Sequence, residues 1–261
     1  AIHPDVQGTG VVWSHRRTTG ADWYFVAAPT QPFNGDLTFR ATGTVELWDP
    51  MTGRTAPAQV RDQNPSGTTL HLDLPVAGSL FVVFHKNALP SQTPAAIREQ
   101  TRSIAMNGPW HLAFPAGWGA PAGVDLKELT SWTELDVPTE GRAFSGTASY
   151  STSFEWTLAD SIAQVVLDLG RVEVLAEISI NGQPAGISWI APHRVDITSL
   201  LLEGTNQLEI KVTNTWFNRL VHDAGLPDET RKTWTIGAPP ANATLRPAGL
   251  LGPVALELFT N

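Results

Sequence analysis

The chain has no cysteine. Disulfides and thiolate metal sites are therefore excluded. No apolar run reaches the ~18 residues that a helical membrane span needs, so no membrane partner is expected. Basic residues are few and scattered: 17 Lys and Arg stand against 25 Asp and Glu, a net charge of −8, and His15-Arg16-Arg17 is the one basic cluster. Phosphate binding needs a basic face, which speaks against a nucleic-acid partner. The opening residues AIHPDVQGTG lack the basic and apolar regions of a signal peptide. Any export signal is expected to have been removed or to lie upstream. Glycine-rich nucleotide loops, a Gly-x-Ser-x-Gly elbow, an EF-hand ligand loop and a His-x-x-x-His pair are all missing. The seven histidines therefore give no pointer to zinc. No repeat or low-complexity tract is evident.

What the sequence does contain is strand after strand. The stretch from Val165 to Thr198 is the clearest. Val172, Val174, Ala176, Ile178 and Ile180 alternate with polar residues, as on a half-buried strand. Asn181-Gly182 follows, and Asn-Gly suits a tight hairpin turn because both central positions need positive φ. Tyr150, Thr152, Phe154, Trp156 and Leu158 share a second face, and Leu208, Ile210 and Val212 a third. The run from Leu80 to Phe84 is apolar on both faces, as in a central sandwich strand. Many short strands and no convincing long helix predict an all-β chain of two antiparallel β-sandwich domains. Residues 1–88 form the first, 89–104 a proline-containing linker in which Ala95 to Met106 could hold a helical turn, and 105–261 the second. Trp216 to Pro240 shows no period and reads as a long loop of the kind that often binds ligands.

Two sets of motifs carry a family resemblance. In the second half these are Gly146 to Phe154, Leu167-Asp168-Leu169-Gly170, Ile180-Asn181-Gly182, Asp196-Ile197-Thr198, Gly204-Thr205-Asn206, and Val212-Thr213-Asn214 followed by Trp216, Asn218, Arg219 and Leu220. They resemble the galactose-binding-like jelly roll of family 2 glycoside hydrolases. In the first half, Pro4-Asp5-Val6, Trp13 to Arg17, Asp22 to Val26 and Glu46 to Gly53 resemble the region after the catalytic barrel of family 106 α-L-rhamnosidases. Lys232-Thr233-Trp234 and Pro247 to Val254 resemble the end of those enzymes. Nothing corresponds to their (β/α)₈ barrel, which takes ~250 residues. The resemblance thus implies a non-catalytic C-terminal region of a secreted or periplasmic glycoside hydrolase. Its partners would be the upstream catalytic barrel of the same polypeptide and a rhamnose-containing glycan. Two alternatives stay open: a free-standing carbohydrate-binding protein, and a small glycosidase using carboxylates among Glu134, Asp136, Glu140, Asp223, Asp228 and Glu229. Glycoside hydrolysis needs two facing carboxyls, and none of these lies in a motif that imposes such a geometry.

Candidate carbohydrate contacts are Asn214, Trp216, Asn218 and Arg219 where a strand enters the long loop, Trp189 and His193 after the hairpin, and Trp118 in a Gly/Pro-rich segment. Asn and Arg give directional bonds to hydroxyls and Trp a stacking face. Each has a plainer alternative, since Asn satisfies strand-end backbone, Arg219 with Asp223 would brace the loop, and Trp118 would plug the core edge. His15, Arg16 and Arg17 are either a hairpin ion-pair cluster with Asp22 or a contact to the upstream barrel. No cofactor is required; the jelly-roll resemblance leaves a structural Ca²⁺ open. Asn242-Ala243-Thr244 fits a glycosylation sequon.

Overall fold

A computed structural model describes residues 4–51, 53–87, 99–157 and 161–260. The chain forms two compact units, 1–97 and 98–261, and both are built from antiparallel strands. The all-β expectation holds.

The first unit contains β1 (Val6–Gln7), β2 (Val12–Arg17), β3 (Ala21–Ala27), β4 (Phe33–Phe39), β5 (Thr44–Trp48), β6 (Thr55–Pro57), β7 (Val60–Asn64), β8 (Gly67–Leu74) and β9 (Ser79–His85). They make a four-stranded sheet, β1-β4-β8-β7, and a five-stranded sheet, β2-β3-β9-β5-β6. Alternation sends Leu37, Phe39, Leu70 and Leu72 from one sheet and Tyr24, Val26, Val82 and Phe84 from the other into one core. The doubly apolar run does occupy a central strand, β9. Its second face carries Phe81, tilted against Phe25 at 5.2 Å.

The second unit contains β10 (Glu99–Ala105), β11 (Trp110–Ala113), β12 (Gly123–Leu126), α1 (Thr139–Arg142), β13 (Thr147–Trp156), β14 (Ile162–Asp168), β15 (Arg171–Glu173), β16 (Leu175–Ile180), β17 (Gln183–Ser188), β18 (Arg194–Asp196), β19 (Gly204–Thr213), α2 (Phe217–Ala224), β20 (Gly249–Gly252) and β21 (Ala255–Thr260). A six-stranded sheet, β12-β11-β13-β19-β16-β17, and a four-stranded sheet, β10-β21-β14-β18, share one core. Tyr150, Ile178, Leu208 and Ile210 meet Val165, Leu167, Leu256 and Leu258 there.

The Asn181-Gly182 turn has the expected positive φ values, 53° and 75°. Asn181 also does more than turn the chain. Its Nδ2 donates to Leu200 O at 3.1 Å and Asn206 Oδ1 at 2.8 Å, and its Oδ1 accepts from Gln207 N at 2.9 Å.

Four local readings need correction. Glu99–Ala105 is a strand paired with β21, where a linker and a helical turn were expected; residues 88–98 lie outside the described residues, as does Leu158. Val174 does not share the buried face of Ala176: it is 44% exposed, because the chain there passes from the small β15-β20 sheet to the six-stranded one. The Gly/Pro-rich segment from Pro115 to Val124, expected as loop throughout, gives its last two residues to strand β12. The aperiodic region begins with helix α2. No helix among the described residues is long and apolar enough to cross a membrane.

Candidate functional site at one end of the second unit

Strand register gathers most of the candidate residues at one end of the six-stranded sheet. Thr147 at the start of β13 pairs with Thr213 at the end of β19, which also pairs with Leu175 at the start of β16. Ser188 at the end of β17 pairs with Ala176, and Ala113 at the end of β11 with Ser149. The segments carrying Trp118, Trp189 and Asn214 to Arg219 therefore leave the sheet at the same end.

Tryptophan burial separates structural from surface roles. Trp110, Trp132 and Trp156 are buried, and Trp23, Trp48 and Trp118 half-buried. The exposed four are Trp13 at 38%, Trp189 at 55%, Trp216 at 47% and Trp234 at 72%. The last three all belong to the second unit. Trp216 leans on Trp118, with ring centroids 5.5 Å apart and planes at 58°. Trp118 in turn packs on the core.

Behind this pair lies a network of buried charge. Helix α2 turns Asn218, Arg219 and Asp223 inward, and all three are buried. Arg219 Nε lies 2.9 Å from Asp223 Oδ1, and Nη1 lies 3.0 Å from Glu140 Oε1. Its guanidinium carbon sits 5.4 Å from the Trp118 ring centroid, within cation–π reach. Nη2 is buried without an acceptor among the described residues. Asp223 Oδ2 accepts from Lys232 N, Thr233 N and Thr233 Oγ1 at 3.0, 2.7 and 2.8 Å. Lys232 Nζ reaches Glu140 Oε1 at 2.8 Å and Gly117 O at 2.6 Å. One ion network thus ties α2, α1, the Trp118 loop and the segment after α2 together.

The same contacts set the protonation states. Burial alone would raise the Asp223 carboxyl, but the Arg219 guanidinium, the Thr233 hydroxyl and amide, and His222 outweigh it and hold Asp223 at about 2. The Lys232 ammonium holds Glu140 below its usual range against the opposing effect of burial, with help from Arg219. Both carboxylates are therefore ionised at neutral pH, and neither is set up as a general acid.

Several candidate side chains are spent within the unit. Asn214 Oδ1 accepts from Gly146 N at 2.9 Å, and its Nδ2 donates to Phe144 O at 3.0 Å. Asn218 brackets Arg246, donating to its O at 2.7 Å and accepting from its N at 2.8 Å. His193 is buried, with Nδ1 2.9 Å from Ser188 Oγ, and burial lowers its pKa. In the first unit, His15 Nε2 and Arg17 Nε both reach Asp22 Oδ1, at 2.8 and 2.6 Å, while His15 Nδ1 meets Asp5 Oδ2 at 3.0 Å. Arg16 is exposed.

Sequence reasoning paired Arg219 with Asp223, as the structure does, but missed the helix that carries them and missed Trp234. A signal for the helix was present: Phe217, Leu220, Val221 and Ala224 fall at helical spacing. No three His, Asp or Glu side chains among the described residues stand together as a metal cage. The carboxylates around the site are engaged by Arg219, Lys232 and Thr233, so these side chains do not fit a Ca²⁺ cage.

The second unit is thus an antiparallel two-sheet sandwich with charge-braced aromatics at its strand ends. Comparison with known proteins agrees. Residues 140–247 match the family described as glycosyl hydrolase 2 galactose-binding domain-like. The chain superposes on the rhamnosidase from Novosphingobium sp. PP1Y with a TM-score of 0.86 at 35% identity, over 98% of this chain and 25% of that one. It is 36% identical over 202 residues to a protein of Formosa agariphila named "Putative beta-glucuronidase", covering 67% of this chain and 17% of that protein. The chain is thus similar to a rhamnosidase-type glycoside hydrolase region that includes a galactose-binding-like domain, and it spans a quarter or less of these relatives.

Proposed function

We propose that this chain is a non-catalytic accessory region of a glycoside hydrolase of α-L-rhamnosidase type, and that its second unit binds or orients a rhamnose-containing glycan. The observation that carries this reading is Trp216, exposed at the end of the jelly roll and packed on Trp118, whose ring and loop the Arg219–Asp223–Glu140–Lys232 network braces. A flat apolar ring backed by rigid charge suits the apolar face of a pyranose, while Lys232 and Glu140 offer a donor and an acceptor at its rim.

The remainder of such a polypeptide would carry the catalytic carboxylates. Packing against it is the second role. Arg16 and Arg17, exposed on the edge strand β2, would serve such a contact. The setting would be periplasmic or extracellular, where polymeric glycans are met.

The test uses the full chain and a chromogenic α-L-rhamnoside. No turnover is expected. Turnover abolished by one substitution, such as Glu140→Gln or Asp228→Asn, would overturn the accessory reading.

A further inference from the structure

A recess lies on the segment after α2, joined to the Trp118–Trp216 pair through Lys232. Asp228, Arg231, Lys232, Thr233 and Trp234 line a pocket of about 350 Å³, within the size range of small-molecule sites. Trp234 has 72% of its surface in solvent. Exposed tryptophan in a polar pocket supplies a stacking face that the core does not use.

The polar groups around it are held in place. Arg231 Nε donates to Asp223 O and Leu226 O, both at 2.9 Å, which fixes the guanidinium at the C-terminal end of α2. Arg231 Nη1 then holds Asp228 Oδ1 at 2.6 Å. Asp228 remains 83% exposed at its side chain, so its second oxygen can accept from hydroxyls. Lys232 joins the two places: it lines this pocket, while its Nζ lies 5.9 Å from the Trp118 ring centroid and bonds Gly117 O. An aromatic face, an anchored carboxylate and an ammonium donor are the groups a neutral pyranose requires.

We infer that Trp234, Asp228, Arg231 and Lys232 form a second pyranose subsite, contiguous through Lys232 with the one at Trp216, so that the unit takes an oligosaccharide rather than a single sugar. This rests on the glycan-binding reading above and adds the length of the ligand to it. Two joined subsites gain affinity only when one ligand reaches both.

The experiment is a calorimetric titration of the full chain with methyl α-L-rhamnopyranoside and with a rhamnose-containing tetrasaccharide, in wild type, Trp234→Ala and Trp216→Ala. Wild type is expected to bind the tetrasaccharide at least about tenfold more tightly than the monosaccharide, the effect of one stacked ring. Trp234→Ala should erase that advantage, and Trp216→Ala should weaken binding of both ligands. Unchanged melting of Trp234→Ala would show that the unit stays folded. Equal affinity for the two ligands, or a Trp234→Ala variant that keeps the tetrasaccharide advantage, overturns the second subsite alone. Binding of neither ligand overturns the glycan reading on which it stands.

Discussion

Arg219 and Asp223 face each other across one turn of α2, each side chain 1% exposed, with Nε 2.9 Å from Oδ1. A buried pair of this kind is costly to break from one side, because the remaining charge keeps its desolvation penalty without its partner. Arg219→Met is expected to destabilise the second unit by about 3–5 kcal/mol. Asp223→Leu alone should do comparable harm, since it also strands the amides of Lys232 and Thr233. The double variant should recover part of the loss, and urea unfolding followed by tryptophan fluorescence measures the coupling.

Acid should act on the same carboxylate. Asp223 titrates at about 2 in the folded chain, against 3.8 ordinarily. A depressed pKa means that the folded state binds its proton less readily than the unfolded one. The contribution is therefore fully present above about pH 4 and lost as pH falls through 2. Its size is about 2 kcal/mol. Unfolding free energies measured between pH 5 and 2 should fall with acid in wild type, and Asp223→Asn should flatten that slope.

The core of the second unit turns on a hydroxyl. Tyr150 OH accepts from Trp132 Nε1 at 2.6 Å and from Leu250 N at 3.0 Å, and burial raises its pKa to about 12. Tyr150→Phe would leave two buried donors unpaired, at about 1–3 kcal/mol for each. Gly249 lies against the same spot with φ +97°, and an added Cβ would fall 2.4 Å from Trp132 Nε1 and 2.5 Å from the hydroxyl. Gly249→Ala should cost about 2 kcal/mol or more, from backbone strain and overpacking together. Denaturant midpoints compare the two variants.

Those burdens mark what sequence could and could not reveal. Strands such as β13 and β19 bury one face and leave the other wet, so alternation of Tyr150 or Leu208 with polar neighbours announces them. Asn181-Gly182 announces its turn because its backbone needs are local. Helix α2 has helical spacing of apolar residues, but that spacing misleads about its buried face: Asn218, Arg219 and Asp223 go inside with Val221, while Phe217 and Leu220 are only partly covered. Its meaning depends on partners far along the chain, Ser145, Glu140 and Arg246. Trp234 likewise looks like any loop tryptophan until Arg231 and Asp228 are placed beside it.

The central claim is that the strand-end tryptophans bind sugar. Calorimetric and fluorescence titration of the full chain with rhamnose-containing oligosaccharides, set beside Trp216→Ala, tests it most directly. Trp216 is 47% exposed, so its removal should leave the melting temperature within a degree or two. Saturable heat and a change in tryptophan emission at millimolar ligand or below, both lost in Trp216→Ala, are the predicted result. No response at millimolar ligand, or a Trp216→Ala variant that binds as wild type does, would contradict it.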